Sequence, residues 1–329
     1  MREFIKRLIK VIIPVDYVKV MRVFHCDASR IVAYGGAFHP KGKVALEASI
    51  ILRYHVLEKG LTMPQRHVPF GKKIATQLLV LVCEFQRTYG LTSQVEHAIS
   101  VLKEYEEVHR TNDATDKTDA FWNELHAFIV KHDEIPISRQ SHYKKAEFYS
   151  KLESPFPEFA MSRHTIRNYS AKPVDISEIK KAVELAMSAP TACNRQQVRV
   201  HCVVDKKLRG DVLALQGGNR GFGHLADKVL IVTCDLGAEF GGLRERFDPY
   251  VNGGIVVMNL CYSLHYYKIA HCILTCAMDP EKESELRRMC SIPDHEVVVS
   301  MMCCGNAPEE FDVASSPRRD IDEVFSVVR

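Results

Sequence analysis

The sequence has little excess charge. Its 44 lysines and arginines against 41 acidic residues leave a net +3, with no long basic stripe, so nucleic acid is not expected as a partner. The paired C-x-x-C spacing of structural zinc sites is also missing. Cys303-Cys304 and Cys272-x-x-x-Cys276 are the nearest approaches, and no metal is expected. No repeat or low-complexity segment occurs. Gly35-Gly36 ahead of Phe38 is too little for a phosphate loop, which needs a strand before it and a helix after it. The opening residues 1–14 are basic and amphipathic but fall far short of the roughly 20 apolar residues of a membrane span. They do not read as a signal peptide. Such a segment could make peripheral contact with a membrane surface; a first helix docked on its own domain is the plainer expectation.

Eleven cysteines are present, yet they do not look like a disulfide scaffold. Cys193, Cys202, Cys234, Cys261, Cys272 and Cys303 sit in apolar segments, where reduced cysteine behaves as a small hydrophobe. An odd count in a chain of this size fits a reducing, cytoplasmic setting.

With 329 residues, 46% of them hydrophobic, the chain can bury about two cores. Residues 1–150 read as a helical domain with no assigned role. Val44 to Lys59 is apolar at helical spacing and is expected to stop at Gly60. Lys72 to Tyr89 places Ile74, Leu78, Leu81 and Phe85 on one face and ends at Gly90. Ser93-x-x-Glu96 reads as a capping box for a helix running to about His109, and Asp119 to His132 carries the only tryptophan, Trp122. His55 and Lys59 share a helix face, which reads as solvated rather than as a ligand contact. Pro136, Pro155 and Pro157 mark a linker between about 134 and 158.

Residues 151–329 change to alternating helices and strands. Asp175 opens a helix with Ile179, Val183 and Ala186 buried. Val198–Val204, Lys228–Cys234 and Glu296–Cys304 read as strands, the second apolar enough to be covered on both faces. Val251–Tyr267 reads as a long helix and Asp320–Val328 as a short final one. Such alternation indicates an α+β layered domain, with helices covering a central sheet.

Three polar stretches punctuate this second domain. Ser162–Tyr169 gathers Arg163, His164, Thr165 and Arg167, which suits the anionic end of a phosphorylated ligand. Ser188–Gln197 is a polar turn between a helix and a buried strand, a place where hydroxyl, amide and N–H groups face ligands. Ser315–Asp320 sets Arg318 and Arg319 just ahead of a helix, again favouring phosphate.

In this order and spacing the three stretches resemble the nitroreductase family of FMN-dependent oxidoreductases, over residues about 160–329. Arg163, His164, Thr165 and Arg167 match the family's opening basic stretch. Pro190, Thr191, Asn194 and Gln196 match its Pro-Ser-x-x-Asn-x-Gln turn, and Arg318 or Arg319 its closing basic stretch. The resemblance implies a three-layer domain with a central mixed sheet. It implies FMN held at the interface of a homodimer, with Arg163, Arg167 and Arg318 or Arg319 on the phosphate and ribityl chain. His164 and Thr165 would lie along the same tail, and Pro190, Thr191, Asn194 and Gln196 would belong to the flavin turn, usually from the partner subunit. Gly221–His224 would approach from another side, and Leu274, within Ile273–Thr275, would lie at the reactive edge of the ring.

The implied activity is hydride transfer from NADH or NADPH through flavin to a small-molecule acceptor in ping-pong order, with no obligatory catalytic side chain. Two departures from the family stand out: Gln197-Val198 replaces Pro-Trp, and Lys268–His271 replaces a glycine-containing turn. His164, His224 and His271 are candidate proton carriers, with structural or cofactor-tail contacts the plainer reading, as burial is for Cys193. The alternatives are a dehydrogenase, dehalogenase or flavin-consuming enzyme of the same fold without a nicotinamide donor, or a flavin-less interaction module acting through the N-terminal helices.

Overall fold

The computed structural model describes residues 15–328 apart from 39, 41, 117, 240, 241 and 277. The basic opening, residues 1–14, lies outside the described residues.

Among the described residues five helices come first: α1 (Val15–Tyr34), α2 (Lys43–Leu61), α3 (Lys72–Tyr89), α4 (Ser93–Thr111) and α5 (Ala120–Val130). The last four bury one another around Ile50, Leu57, Leu78, Phe85, Ile99, Leu102, Tyr105 and Leu125. Leu78 and Phe85 of the expected stripe are fully buried, while Ile74 and Leu81 pack at its margin. Gly60 does not end its helix, which runs on to Leu61. A Cβ at Gly60 would run into the Phe70 ring, so this glycine serves close packing. The cap of α4 is Thr92, whose hydroxyl accepts from the Val95 N–H, rather than Ser93.

Strand β1 (Ser141–Lys144) and a helical turn, Lys145–Phe148, occupy the region expected to be linker. The pairing partner of β1 lies near the other end of the chain, so its short run was not readable as a strand. Helices α6 (Phe156–Ser162) and α7 (Ile176–Ala186) precede β2 (Val198–Val203). Then come α8 (Lys206–Gln216), β3 (Lys228–Asp235), α9 (Asp248–Tyr266), β4 (Ile269–Leu274), α10 (Pro280–Cys290), β5 (Glu296–Asn306) and β6 (Glu310–Val313). The expected final helix is only the turn Ile321–Val324. Strand β4 opens at Ile269, within the stretch Lys268–His271 that departs from the family's glycine-containing turn.

The main sheet has the order β2-β3-β5-β4, and β1 pairs separately with β6. Alternation along each strand sends residues to opposite faces. Leu230 and Val232 of β3, with Met302 and Cys304 of β5, pack under α7 and α9. Val229 and Ile231, with Met301 and Cys303, join the cluster that takes in Val212 of α8 and Leu286 of α10. The domain is therefore three-layered and α+β. Its strand directions differ from the expected mixed sheet, because every described pairing is antiparallel. Strands β3 and β4 run the same way, and β5 slots between them in the opposite sense. Helix-strand alternation does not reveal which strand takes that middle place.

Candidate cofactor cleft

The first basic stretch leaves α6 in extended conformation and runs beside β4. Ile166 N–H donates to the His271 carbonyl at 3.1 Å, and Ser170 N–H to that of Asn306 at 2.8 Å. Ile166 and Tyr169 are buried. The Tyr169 hydroxyl reaches the carbonyls of Ile166 and Cys303, and its ring lies so close to Gly305 that a Cβ there would meet it at 2.8 Å. This anchoring leaves Arg163, His164, Thr165 and Arg167 lining a cleft of about 770 Å³.

Its opposite walls come from His55 of α2, Met258 and Tyr262 of α9, and the loop Ser315–Arg318. Among the described residues, three guanidinium groups line the cleft and no carboxylate does. Arg163 has no ion-pair partner among the described residues. Lys59, half-buried nearby, is held below the usual lysine range by burial and by Arg167. Charges of one sign gathered in a partly desolvated cleft favour an anion.

Three histidines around the cleft, His164, His271 and His265, are held below the usual histidine range. Burial lowers the His164 pKa and Arg163 and Arg318 lower it further, against the Ser162 carbonyl that its Nδ1 meets at 3.1 Å. Burial pushes His271 down to about 4, with its Nδ1 on the Ile269 carbonyl and its Nε2 unpartnered. Burial, with His271 and Arg163 nearby, takes His265 down to about 3.

The expected site residues do not all meet here. Arg163, His164, Thr165, Arg167 and Arg318 share the cleft. Arg319 is instead ion-paired to Glu47 and Glu323. Leu274 is buried at the end of β4, beside a second cleft with Tyr250, Thr275 and Ser300. His224 is exposed on the Gly223–Leu225 turn, outside the arginine cleft.

Pro190, Thr191, Asn194 and Gln196 form a separate turn on the N-terminal end of α9, where Ala192 N–H donates to Asn252 Oδ1 at 2.9 Å. Cys193, Asn194 and Gln196 take left-handed φ of 50°, 55° and 53°, costly for residues with a Cβ. Arg195 secures this turn through Glu239, Glu245 and Asp248.

Residues 160–217 match the model of the Nitroreductase family. This segment is nitroreductase-like in sequence. The match takes in both the Arg163–Arg167 stretch and the Pro190–Gln196 turn, and it ends ahead of Leu274 and Arg318. Among solved structures, the chain is similar to the nitroreductase family protein of Streptococcus pneumoniae, at 20% identity and TM-score 0.45, covering 53% of this chain and 100% of that one. It is also similar to the NADPH:FMN oxidoreductase of Vibrio harveyi complexed with NAD+, at 17% identity and TM-score 0.45, covering 53% and 76%. No curated protein matches the chain.

His55 is the residue that sequence reasoning misjudged. Expected to be solvated, it lines the cleft and receives a hydrogen bond from Arg167 at 3.5 Å. Its neighbour Glu58 was missed altogether. Burial alone would raise the Glu58 pKa, but hydrogen bonds from His55, His97 and the Ser316 N–H take it down to about 2. The spacing of His55 and Lys59 on one helix face was the available signal.

Proposed function

We propose that the chain is an FMN-dependent oxidoreductase that takes hydride from NADH or NADPH and passes it to a small-molecule acceptor in ping-pong order. The observation that carries this reading is the cleft lined by Arg163, Arg167 and Arg318 with no carboxylate among the described residues, opening on a segment that matches the nitroreductase family. The residues present fit the cofactor's anionic tail. The arginines would hold its phosphate through charge-assisted hydrogen bonds, with Thr165 and His164 along the polyol. Flavin, when bound, supplies the hydride chemistry. The chain's own residues bind and orient the cofactor, and Met258 and Tyr262 shield one side of the cleft from water.

The flavin turn calls for a second copy. Helix α9 exposes Tyr250, Val251, Ile255 and Met258 along one side, with the Pro190–Gln196 turn at its start and the cleft at its far half. Asn252 and Met258 to Tyr262 are six to ten residues apart, or ~9–15 Å along the helix. Two copies of α9 packed antiparallel about Ile255 would cover this apolar side and bring each turn to the other's cleft. A homodimer in a reducing, cytoplasmic compartment is the assembly we infer; all eleven cysteines are free.

The test is the visible spectrum of the purified protein, followed by anaerobic titration with NADH and NADPH. Flavin bands that bleach with either donor support the reading. Bands that resist both point to flavin chemistry without a nicotinamide. No bands, before or after adding FMN, would sink it.

A further inference from the structure

The loop that carries Arg318 is held from outside its own domain. Ser315 N–H donates to Gln140 Oε1 at 2.9 Å, Ser316 N–H to Glu58 Oε1 at 3.0 Å, and the Ser316 hydroxyl to Glu58 Oε2 at 3.3 Å. Gln94 Nε2 donates to the Arg318 carbonyl at 3.3 Å, and Arg319 pairs with Glu47. Apart from short-range bonds within 316–323, no described hydrogen bond of residues 315–319 goes to anything beyond residue 140. Ser316 sits at a left-handed φ of 42°, a conformation a serine keeps only when its surroundings impose it.

The same helical region also touches the other arginine stretch. Arg167 donates to His55 Nε2 at 3.5 Å, and His55 Nδ1–H donates to Glu58 Oε2 at 3.0 Å. His97 Nε2 supports Glu58 Oε1 at 2.7 Å. One fully buried carboxylate, propped by His97, thus joins, through His55 and a backbone N–H, the two segments whose guanidinium groups share the cleft.

We infer that the helical region is the clamp that sets the spacing of the anion-binding arginines, with Glu58 its central positioning residue. The inference gives that region a role, and it rests on the flavin reading only for the identity of the anion. Glu58 bonds no guanidinium of the cleft and would touch no ligand. It acts through Ser316 and His55. A clear sign separates this role from simple electrostatics. Removing a negative charge beside an anion site would, by Coulomb attraction alone, tighten anion binding. Loosening the clamp weakens it.

The experiment compares the full chain with its Glu58→Gln variant, which keeps the shape and loses the charge. Two readouts are taken: amide hydrogen exchange of residues 314–319 without ligand, and FMN affinity by flavin fluorescence quenching. Exchange in the loop should quicken, and FMN affinity should fall about five- to tenfold, as when a hydrogen bond to a charged group becomes a neutral one. Gln94→Met, which removes the bond to the Arg318 carbonyl and the acceptor of the Tyr54 hydroxyl but leaves Glu58 and its partners in place, should shift both readouts the same way by less, and it stands in if Glu58→Gln folds poorly. Unchanged loop exchange, or FMN bound equally or more tightly, would overturn the clamp. If the unaltered chain takes up no FMN, the flavin reading fails and loop exchange alone decides the clamp.

Discussion

The two halves of the molecule differ in where the partners of their buried polar groups lie. In the layered domain, His265 and His271 are buried and neutral, held well below the usual histidine range by desolvation. In the helical region, buried polar groups are paired, and many of their partners lie on segments outside the helices. Helix α4 shows this best. Gln94, His97, Ser100, Lys103 and Glu104 are all buried, spaced near the helical repeat along one seam. Gln94 holds the Arg318 carbonyl and His97 supports Glu58. The Ser100 hydroxyl accepts from the Ser138 N–H at 2.6 Å, and Lys103 caps the His132 carbonyl at 2.6 Å. Glu104 accepts from Gln140 Nε2 at 3.0 Å, and Gln140 in turn holds Ser315. The polar seam organises loops, including the one that completes the cleft.

The largest effect expected on this contrast comes from the helical core. Phe85 is fully buried, and Phe85→Ala should cost about 3–5 kcal/mol by leaving a cavity. Calorimetry checks it. If the helical region and the layered domain depend on each other through the 315–319 loop, both should melt in one lowered transition; two separate transitions would break the clamp between them.

Next in size is the Arg163→Ala, Arg318→Ala double variant. Neither guanidinium has a carboxylate partner among the described residues, so the melting temperature should hold while FMN affinity falls. A loss of about 1.5–3 kcal/mol for each charge-assisted contact is expected, read by equilibrium dialysis against FMN. Unaltered binding would move the cofactor away from this cleft.

The smallest effect is a pH separation of the two halves. His265 and His271 have folded pKa values of about 3 and about 4, depressed from 6.5. The unfolded chain therefore binds protons first, and the stability of the layered domain should fall as pH drops below about 6.5. Glu58 is depressed from 4.5 to about 2. Its contribution is complete above pH 4.5 and is lost as pH falls from there toward 2. Amide exchange against pH should show the sheet loosening before the 315–319 loop. The reverse order would contradict this assignment of buried charge.

Periodicity carries a long way here. The stripe of α3, the two-faced burial of β3 and the stretch bearing Arg163 and Arg167 all follow from local spacing, which the chain states for itself. The α+β class follows from the succession of those elements. Spacing says nothing of what lies against a face from far along the chain. The seam of α4 carries the polarity of a solvated surface, and only the docking of residues 132–140 and 315–319 makes it interior, while His55 and Lys59 end half-buried beside the cleft. Arg318 and Arg319 are equivalent as neighbours in sequence. Glu47, 272 positions away in the chain, ties down one and leaves the other to the cleft. Strand direction has the same origin, since the place of β5 between β3 and β4 is a matter of pairing across the fold. Local propensity and pattern belong to the sequence, whereas the solvation of each polar group depends on partners that only the folded chain brings near.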